Sequence, residues 1–488
     1  MAKRTAVIDI GSNSIRMVIY EKTSRFAFHL LHEEKSKVRI SENAYKHNAI
    51  LQEAPMRRTY NALENFLQIA RSFKTRKIFC VATSALRDAP NQKLFTNRVK
   101  KDLQLNIKVI SGEREAYFGA LACANLLPQQ SNAMSIDVGG GSTEIAYIDG
   151  YNVSKTQSLK LGTVRLKELF FDNNDLEGAK RYVDTELDKI TDIDPHTLVG
   201  IGGTFRAISS AIQKLQHYPL RKLHAYEYAP KIFQGYIKQV LAADATRLRD
   251  LYIKENRFDV IKPGVFILQR VLKKFNIQNI ITSGVGVREG VFLADILRNA
   301  KHRFPAHYNT SIRYILDAHL QDKEFSNNLS RLSKELFDLT SAHFGIDRKY
   351  RKQLSIAAKL YPSGSNIHLY SQNKHAYYIV QTALEYGFTH QEIILIATLV
   401  KYAKNKLPAQ SHLEKYNLLL PEEHITRKLS FLLSLATVLL SHHPRNIDFE
   451  LNFNNGKLYV NSQTNLYLAK SSINKLECSD KEFKVIFN

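Results

Sequence analysis

Two stretches of this chain follow one plan, 128 residues apart. Residues 5–20, TAVIDIGSNSIRMVIY, and residues 133–148, AMSIDVGGGSTEIAYI, each run an apolar strand into an Asp, then a turn of glycine and small residues, then a second apolar strand. At that offset Asp9 falls on Asp137, Gly11 on Gly139 and Ser14 on Ser142. A repeat at this spacing predicts two similarly built lobes, each opening with a hairpin that presents an Asp and an open turn.

The rest of the first 300 residues alternates. A helical pattern covers 55–73, a buried-type strand 77–83, a further helix begins after Ala89, a short strand covers 106–110 and a helix 113–127. Later come the turn Leu161-Gly162-Thr163 and strands over 198–201 and 279–283, ending in Gly202-Gly203-Thr204 and Gly284. Strand–helix alternation predicts an α/β fold. Glycines at the carboxyl ends of strands mark where open α/β sheets take ligands. Beyond about residue 300 the pattern becomes helical, over 308–345, 350–361, 375–387, 389–403 and 424–441. Short alternating stretches over 448–453, 457–460 and 483–487 predict a small strand-bearing tail. The expected domains are therefore 1–126, 127–304, 305–445 and 446–488.

The start, MAKRTAVIDIGSN, carries no secretory leader pattern, and the longest apolar run, Leu429–Leu440, is too short to span a bilayer. The expectation is a cytoplasmic protein without a membrane partner. Three scattered cysteines, Cys80, Cys123 and Cys478, imply neither a disulfide framework nor a zinc site. The formal net charge is +23, of which residues 301–488, with 24 basic and 16 acidic residues, hold +8. A field of that sign attracts polyanions. Basic runs recur at Lys35-Lys37-Arg39, Arg71-Lys74-Arg76-Lys77, Arg98-Lys100-Lys101 and Arg348-Lys349-Arg351-Lys352.

Tight turns rich in glycine expose backbone N–H groups, which meet anionic oxygens without a side chain in the way. Gly11, Ser12, Asn13 and Ser14 supply one such turn. Gly139, Gly140, Gly141, Ser142 and Thr143 supply another, and Gly203 adds to them. Asp9 and Asp137 end the strands before these turns, and Glu144 returns seven residues after Asp137. One or two carboxylates with waters and substrate phosphates are what Mg²⁺ requires. Arg16, Arg87 and Arg165 lie beside the turns, and a guanidinium matches phosphate oxygens in pairs. Glu113 and Glu115 open a helix after Ser111-Gly112; a helix-dipole interaction suffices for Glu113. The absence of GxxxxGK[ST], HExxH and GxSxG speaks against P-loop, zincin and serine-hydrolase chemistry.

Seven segments occur in order: DIGSNSIRM (9–17), ATSALRDA (82–89), SGEREA (111–116), IDVGGGSTE (136–144), LGTVRL (161–166), IGGT (201–204) and SGVGVREG (283–290). Together they resemble the exopolyphosphatase/guanosine pentaphosphate phosphohydrolase (Ppx/GppA) family of the actin-like ATPase superfamily. The resemblance covers roughly residues 1–300. It implies two actin-like (ribonuclease H-like) lobes, and a hydrolase in which Glu115 activates water. Asp137 and Glu144, with Asp9, would serve a Mg²⁺–phosphate centre. Gly139, Gly140, Gly141 and Ser142 would cradle phosphates, supported from the other lobe by Asn13, Arg16, Ser84 and Arg87. Arg114 departs from the Glu common among relatives. The implied substrates are inorganic polyphosphate or guanosine pentaphosphate (pppGpp), and the implied assembly is a homodimer. Nucleic acid is not expected as a primary partner.

Residues 305–445 look like the HD-type helical domain of longer relatives, with the metal motif lost: Ala357-Ala358-Lys359-Leu360-Tyr361-Pro362 stands where a His-Asp pair is expected. The expectation is an exopolyphosphatase that also converts pppGpp to ppGpp. The alternatives are a mainly pppGpp-directed phosphohydrolase and an actin-like nucleotide-binding regulator with little turnover.

Overall fold

Each Asp-led repeat folds as the hairpin its pattern predicts. In the computed structural model, which describes residues 3–404, 406–478, 480 and 482–488, β1 (Lys3–Ile10) pairs antiparallel with β2 (Ile15–Lys22). β6 (Ala133–Val138) pairs antiparallel with β7 (Thr143–Asp149). The turns match bond for bond: Gly11 N donates to Ser14 O (3.2 Å) and Gly139 N to Ser142 O (2.9 Å).

The match extends to whole sheets. In lobe I, β3 (Phe28–Ser36), β4 (Lys77–Ala82) and β5 (Ile107–Val109) complete the order β3-β2-β1-β4-β5. In lobe II, β8 (Asn152–Leu159), β9 (Thr197–Ile201), β10 (Tyr226–Tyr228) and β11 (Asn279–Thr282) complete β8-β7-β6-β9-β11-β10. In both sheets the hairpin's first strand takes a parallel neighbour on its other side, β4 in one and β9 in the other. The edge strands β3, β8 and β10 are additions to the expected set. β3 and β8 carry polar, half-exposed sequences, FHLLHEEKS and NVSKTQSL, which have no clean apolar alternation.

Helix Glu53–Ser72 buries Leu63, Phe66, Leu67 and Ala70, spaced to form one stripe, in a core shared with Ile8, Ile10 and Met17. Lobe II has its own core, with Ile136, Leu198, Phe205 and Phe233 among its buried side chains.

The chain divides into two compact units, residues 1–308 and 309–488. The second is helical apart from a three-stranded sheet of β12 (Phe449–Asn454), β13 (Lys457–Ser462) and β14 (Lys484–Phe487), ordered as numbered. The helical pattern over 308–345 is two helices, Thr310–His319 and Lys323–Phe344. Asp322 starts the second by accepting from Phe325 N (2.8 Å). Helix His390–Tyr402 opens on a Thr389/Glu392 capping box. Tyr361 is buried, and its hydroxyl accepts from Gln372 Nε2 (3.1 Å). Among the described residues, no helix is long and apolar enough to cross a membrane.

Candidate active site

Strand pairing decides which side chains meet. Asp9 lies directly opposite Arg16 across the first hairpin, and Asp137 opposite Glu144 across the second. Opposite residues in an antiparallel pair share a face. Each turn therefore presents an acid from its outgoing strand, and its returning strand adds a base in lobe I and an acid in lobe II. The two turns approach closely. A Cβ on Gly140 would lie 2.8 Å from Ser12 Cβ, and one on Gly141 would lie 2.6 Å from Ser84 Oγ.

The resulting cleft is lined by Asp9, Gly11, Ser12, Asn13, Ser14, Arg16 and Ser84 from lobe I, and by Gly139, Gly140, Ser142 and Gly203 from lobe II. Asp137, Glu144 and Glu115 complete its acidic part. Four of the expected residues turn elsewhere. Gly141 serves the close packing of the turns. Thr143 is fully buried and donates to Leu161 O (2.8 Å). Arg87 is held behind the lining: its Nη1 donates to Glu115 Oε2 (2.9 Å) and Ile110 O (3.2 Å), and its Nη2 lies 3.8 Å from Glu144 Oε1. Arg165 is likewise engaged, donating to Asp88 Oδ2 (2.5 Å) and Gly141 O (2.8 Å).

Helix Gly112–Leu126 places Glu115. Ser111 caps it by accepting from Arg114 N (3.2 Å). Gly112 allows the helix to start hard against β8, where a Cβ would fall 2.2 Å from Ser158 Cβ. Ser158 in turn donates to Glu144 Oε1 (2.8 Å), which Ser142 Oγ also approaches at 2.5 Å. At the end of β9 the chain turns through Gly202 at φ +83°, where a Cβ would sit 2.0 Å from Asp137 Oδ1. Only glycine both adopts that conformation readily and clears the carboxylate.

The electrostatics divide the cleft. Burial pushes Asp9 up to about 6, opposed by Arg288 and reinforced by Asp137. Burial also raises Asp137, against the pull of Arg206, Arg16 and Arg288. Glu115 and Glu144 are both raised by burial. Glu144's charge pushes Glu115 further and Arg87 restrains both. On the cationic side, Lys35 is pushed down to about 8 by burial and by Arg16, Arg257 and Lys37. Arg206 is lowered to about 10 by burial, Arg16 and Arg288. Arg206, Arg257, Arg288, Lys35, Lys37 and Thr204 line the cleft beyond the expected set. Arg206 follows IGGT by two residues and Arg288 lies inside SGVGVREG, so those segments marked their places. Arg257 has no such signal.

Asp9 Oδ1 is buried without a hydrogen-bond partner. An orphaned anionic oxygen at the mouth of a phosphate turn fits a bound cation. Among the described residues, no group of three or more His, Cys, Asp or Glu side chains converges on one point. A dication here would therefore take one or two carboxylates and complete its shell with waters and substrate oxygens. Mg²⁺ accepts that mode.

The description "Ppx/GppA phosphatase family" matches residues 18–299, and "Ppx/GppA phosphatase, domain III" matches 309–480. A guanosine-5'-triphosphate,3'-diphosphate pyrophosphatase of Vibrio parahaemolyticus is 27% identical over 461 residues, covering 90% of this chain and 86% of its own. The crystal structure of the Aquifex aeolicus Ppx/GppA family member shares 28% identity with a TM-score of 0.53, over 61% of this chain and 99% of its own. An exopolyphosphatase from Cytophaga hutchinsonii gives 25% and 0.56, over 60% and 98%.

Proposed function

The chain belongs to the Ppx/GppA phosphatase family, and we propose that it is a phosphoric anhydride hydrolase that removes the terminal phosphate of inorganic polyphosphate. The observation that carries this reading is the buried Glu115 carboxylate, held by Arg87 in a cleft that both glycine turns and the cations Arg16, Arg206, Arg257 and Arg288 also line.

The turns Gly11–Ser14 and Gly139–Ser142 bind phosphate oxygens through N–H groups other than those of Gly11 and Gly139, which close the turns themselves, with Ser12 and Ser84 hydroxyls alongside. Arg16, Arg206 and Arg288 take the charge of the chain. Glu115 accepts a proton from a water placed in line with the terminal phosphorus. Attack forms the new P–O bond as the bridging anhydride bond breaks, and the shortened chain leaves as the anion. Asp9, Asp137 and Glu144 would hold Mg²⁺ directly or through water, and the ion would neutralise charge on the phosphate oxygens. Arg87 orients Glu115 and stabilises its ionised form.

The lining is mostly glycines, hydroxyls, carboxylates and cations, with the aliphatic Val138, Ile201, Val260 and Val287, and the described lining residues include no aromatic ring for a base to stack on. That favours a bare phosphate chain. A second reading, conversion of pppGpp to ppGpp, is favoured by the pyrophosphatase name of a relative matching nearly the whole chain. The test is phosphate release from long-chain polyphosphate and from pppGpp, side by side, by the wild type and Glu115→Gln. Release from neither substrate by the wild type overturns the activity. Release from pppGpp alone replaces the first reading by the second.

A further inference from the structure

At the opposite end of lobe I from the catalytic cleft lies a second cavity, of about 430 Å³. That is within the range of small-molecule sites, roughly 300–1,000 Å³. Its walls come from the start of β1, the end of β2, the entrance to β4 and the end of helix Val287–Ile296. Three of these elements also reach the catalytic cleft. β1 carries Lys3 here and Asp9 there, β2 carries Lys22 and Arg16, and the helix carries Asp295 and Arg288. Along β1 the two places are about 20 Å apart.

Seven cations line this cavity and one carboxylate, Asp295. Lys77 Nζ donates to both oxygens of Asp295 (2.9 and 2.8 Å), and Arg298 Nη1 lies 3.8 Å from Asp295 Oδ1. Arg4 is satisfied by Glu21 Oε1 (2.8 Å) and the Phe73 carbonyl (3.0 Å). The other four, Lys3, Lys22, Arg25 and Arg76, have no ion pair within 4.0 Å among the described residues. At Lys22 burial lowers the ammonium's pKa, and the neighbouring Lys3, Lys77 and Arg25 lower it further against the pull of Asp295. Cations gathered around a concave surface repel one another, and an anion of several charges relieves that repulsion. The one aromatic residue of the lining, Phe26, is already used. It packs edge-on against Phe304 and Tyr308, and Arg25 lies over its ring at 4.9 Å. The surface therefore offers charge without a free stacking face.

We propose that this cavity is a second, non-catalytic anion site that binds a short inorganic phosphate chain. It goes beyond the catalytic reading and does not depend on it.

The probe is tripolyphosphate, added to the full chain in EDTA so that binding is read without turnover. Calorimetry of the wild type should resolve two classes of site. The double variant Lys22→Ala/Arg76→Ala should lose one class by at least tenfold, because charge-assisted hydrogen bonds to phosphate are removed, and keep the other. Phosphate release by that variant should remain as in the wild type. Acetylation of Lys3, Lys22 and Lys77 in the wild type, read by mass spectrometry, should fall severalfold when tripolyphosphate is present. This arm needs no variant to fold. Tripolyphosphate binding by the double variant equal to that of the wild type, or acetylation unchanged by tripolyphosphate, overturns the proposal. GTP carries the same number of phosphates and a base. Protection of Lys22 by GTP at a tenfold lower concentration than by tripolyphosphate overturns the assignment to a bare phosphate chain.

Discussion

Glu115 combines three conditions that a water-activating carboxylate needs: it is buried, it is anchored, and it is electrostatically strained. Burial and the neighbouring Glu144 hold its carboxyl well above the ordinary glutamate range, while Arg87 draws it back down. A general base acts when ionised, so activity should fall as pH drops through a value above that of a free glutamate. Arg87→Met removes the restraining cation and should move this acid limb to higher pH, with Arg87→Lys in between. An acid limb that does not move in either variant separates Arg87 from the base. The linkage sign follows from the same shift. A carboxyl whose folded value is raised costs stability once ionised, and that cost grows as pH rises from the unfolded value toward the folded one. Glu115→Gln should therefore keep or gain thermal stability at neutral pH while turnover falls by about 10² to 10⁴-fold. A melting temperature that drops together with activity would make Glu115 a structural residue.

Elements carry the geometry, and they differ in how openly the sequence announces them. The two hairpins were readable because each unites β-branched alternation, an Asp and a glycine turn. The strand-end glycines at Gly202 and Gly284 were readable because glycine punctuates. Edge strands β3 and β8 were not, since a strand half in water need not alternate cleanly. Nor was Arg257, because the cleft it lines is assembled by tertiary packing from elements distant in sequence. Arg87 and Arg165 were legible as neighbours of the turns but not as residues held by Glu115 and Asp88, since pairing depends on partners some 28 and 77 residues away. Two glycines test the element scale. Gly202→Ala forces a side chain into φ +83° and onto Asp137, and should destabilise by about 1–3 kcal/mol with loss of activity. Gly112→Ala drives a methyl group into Ser158 and lifts the helix that bears Glu115. Turnover should drop at least tenfold, as expected for a misplaced catalytic group, with a smaller effect on KM. Equal effects on both constants would indicate general loosening rather than displacement of Glu115.

For the whole molecule, the question is what residues 309–488 add. Their core, from Ile315 to Phe483, closes within its own unit, and the cores of the two lobes close within theirs. A chain ending after Tyr308 should therefore fold and keep hydrolysis of short substrates. The basic run at Arg348–Lys352 is weaker as a polyanion track than its sequence suggests. Arg351 is tied to both oxygens of Asp338 (2.6 and 2.5 Å), and Lys349 lies 3.6 Å from Asp347. Each paired cation contributes less to a passing phosphate than a free one. The second unit nevertheless holds +6 of the formal charge, with 22 basic and 16 acidic residues, and every phosphate it neutralises adds to the salt dependence of binding. For the full chain, polyphosphate affinity should rise with chain length and fall steeply with salt. In the chain ending at Tyr308, the length dependence should flatten and the salt slope should shrink, with kcat/KM on tripolyphosphate close to that of the full chain. The measurement is kcat/KM against chain length at two salt concentrations for both proteins. If long chains are processed equally well without residues 309–488, the second unit has no part in holding the polymer, and the two lobes carry all of its recognition.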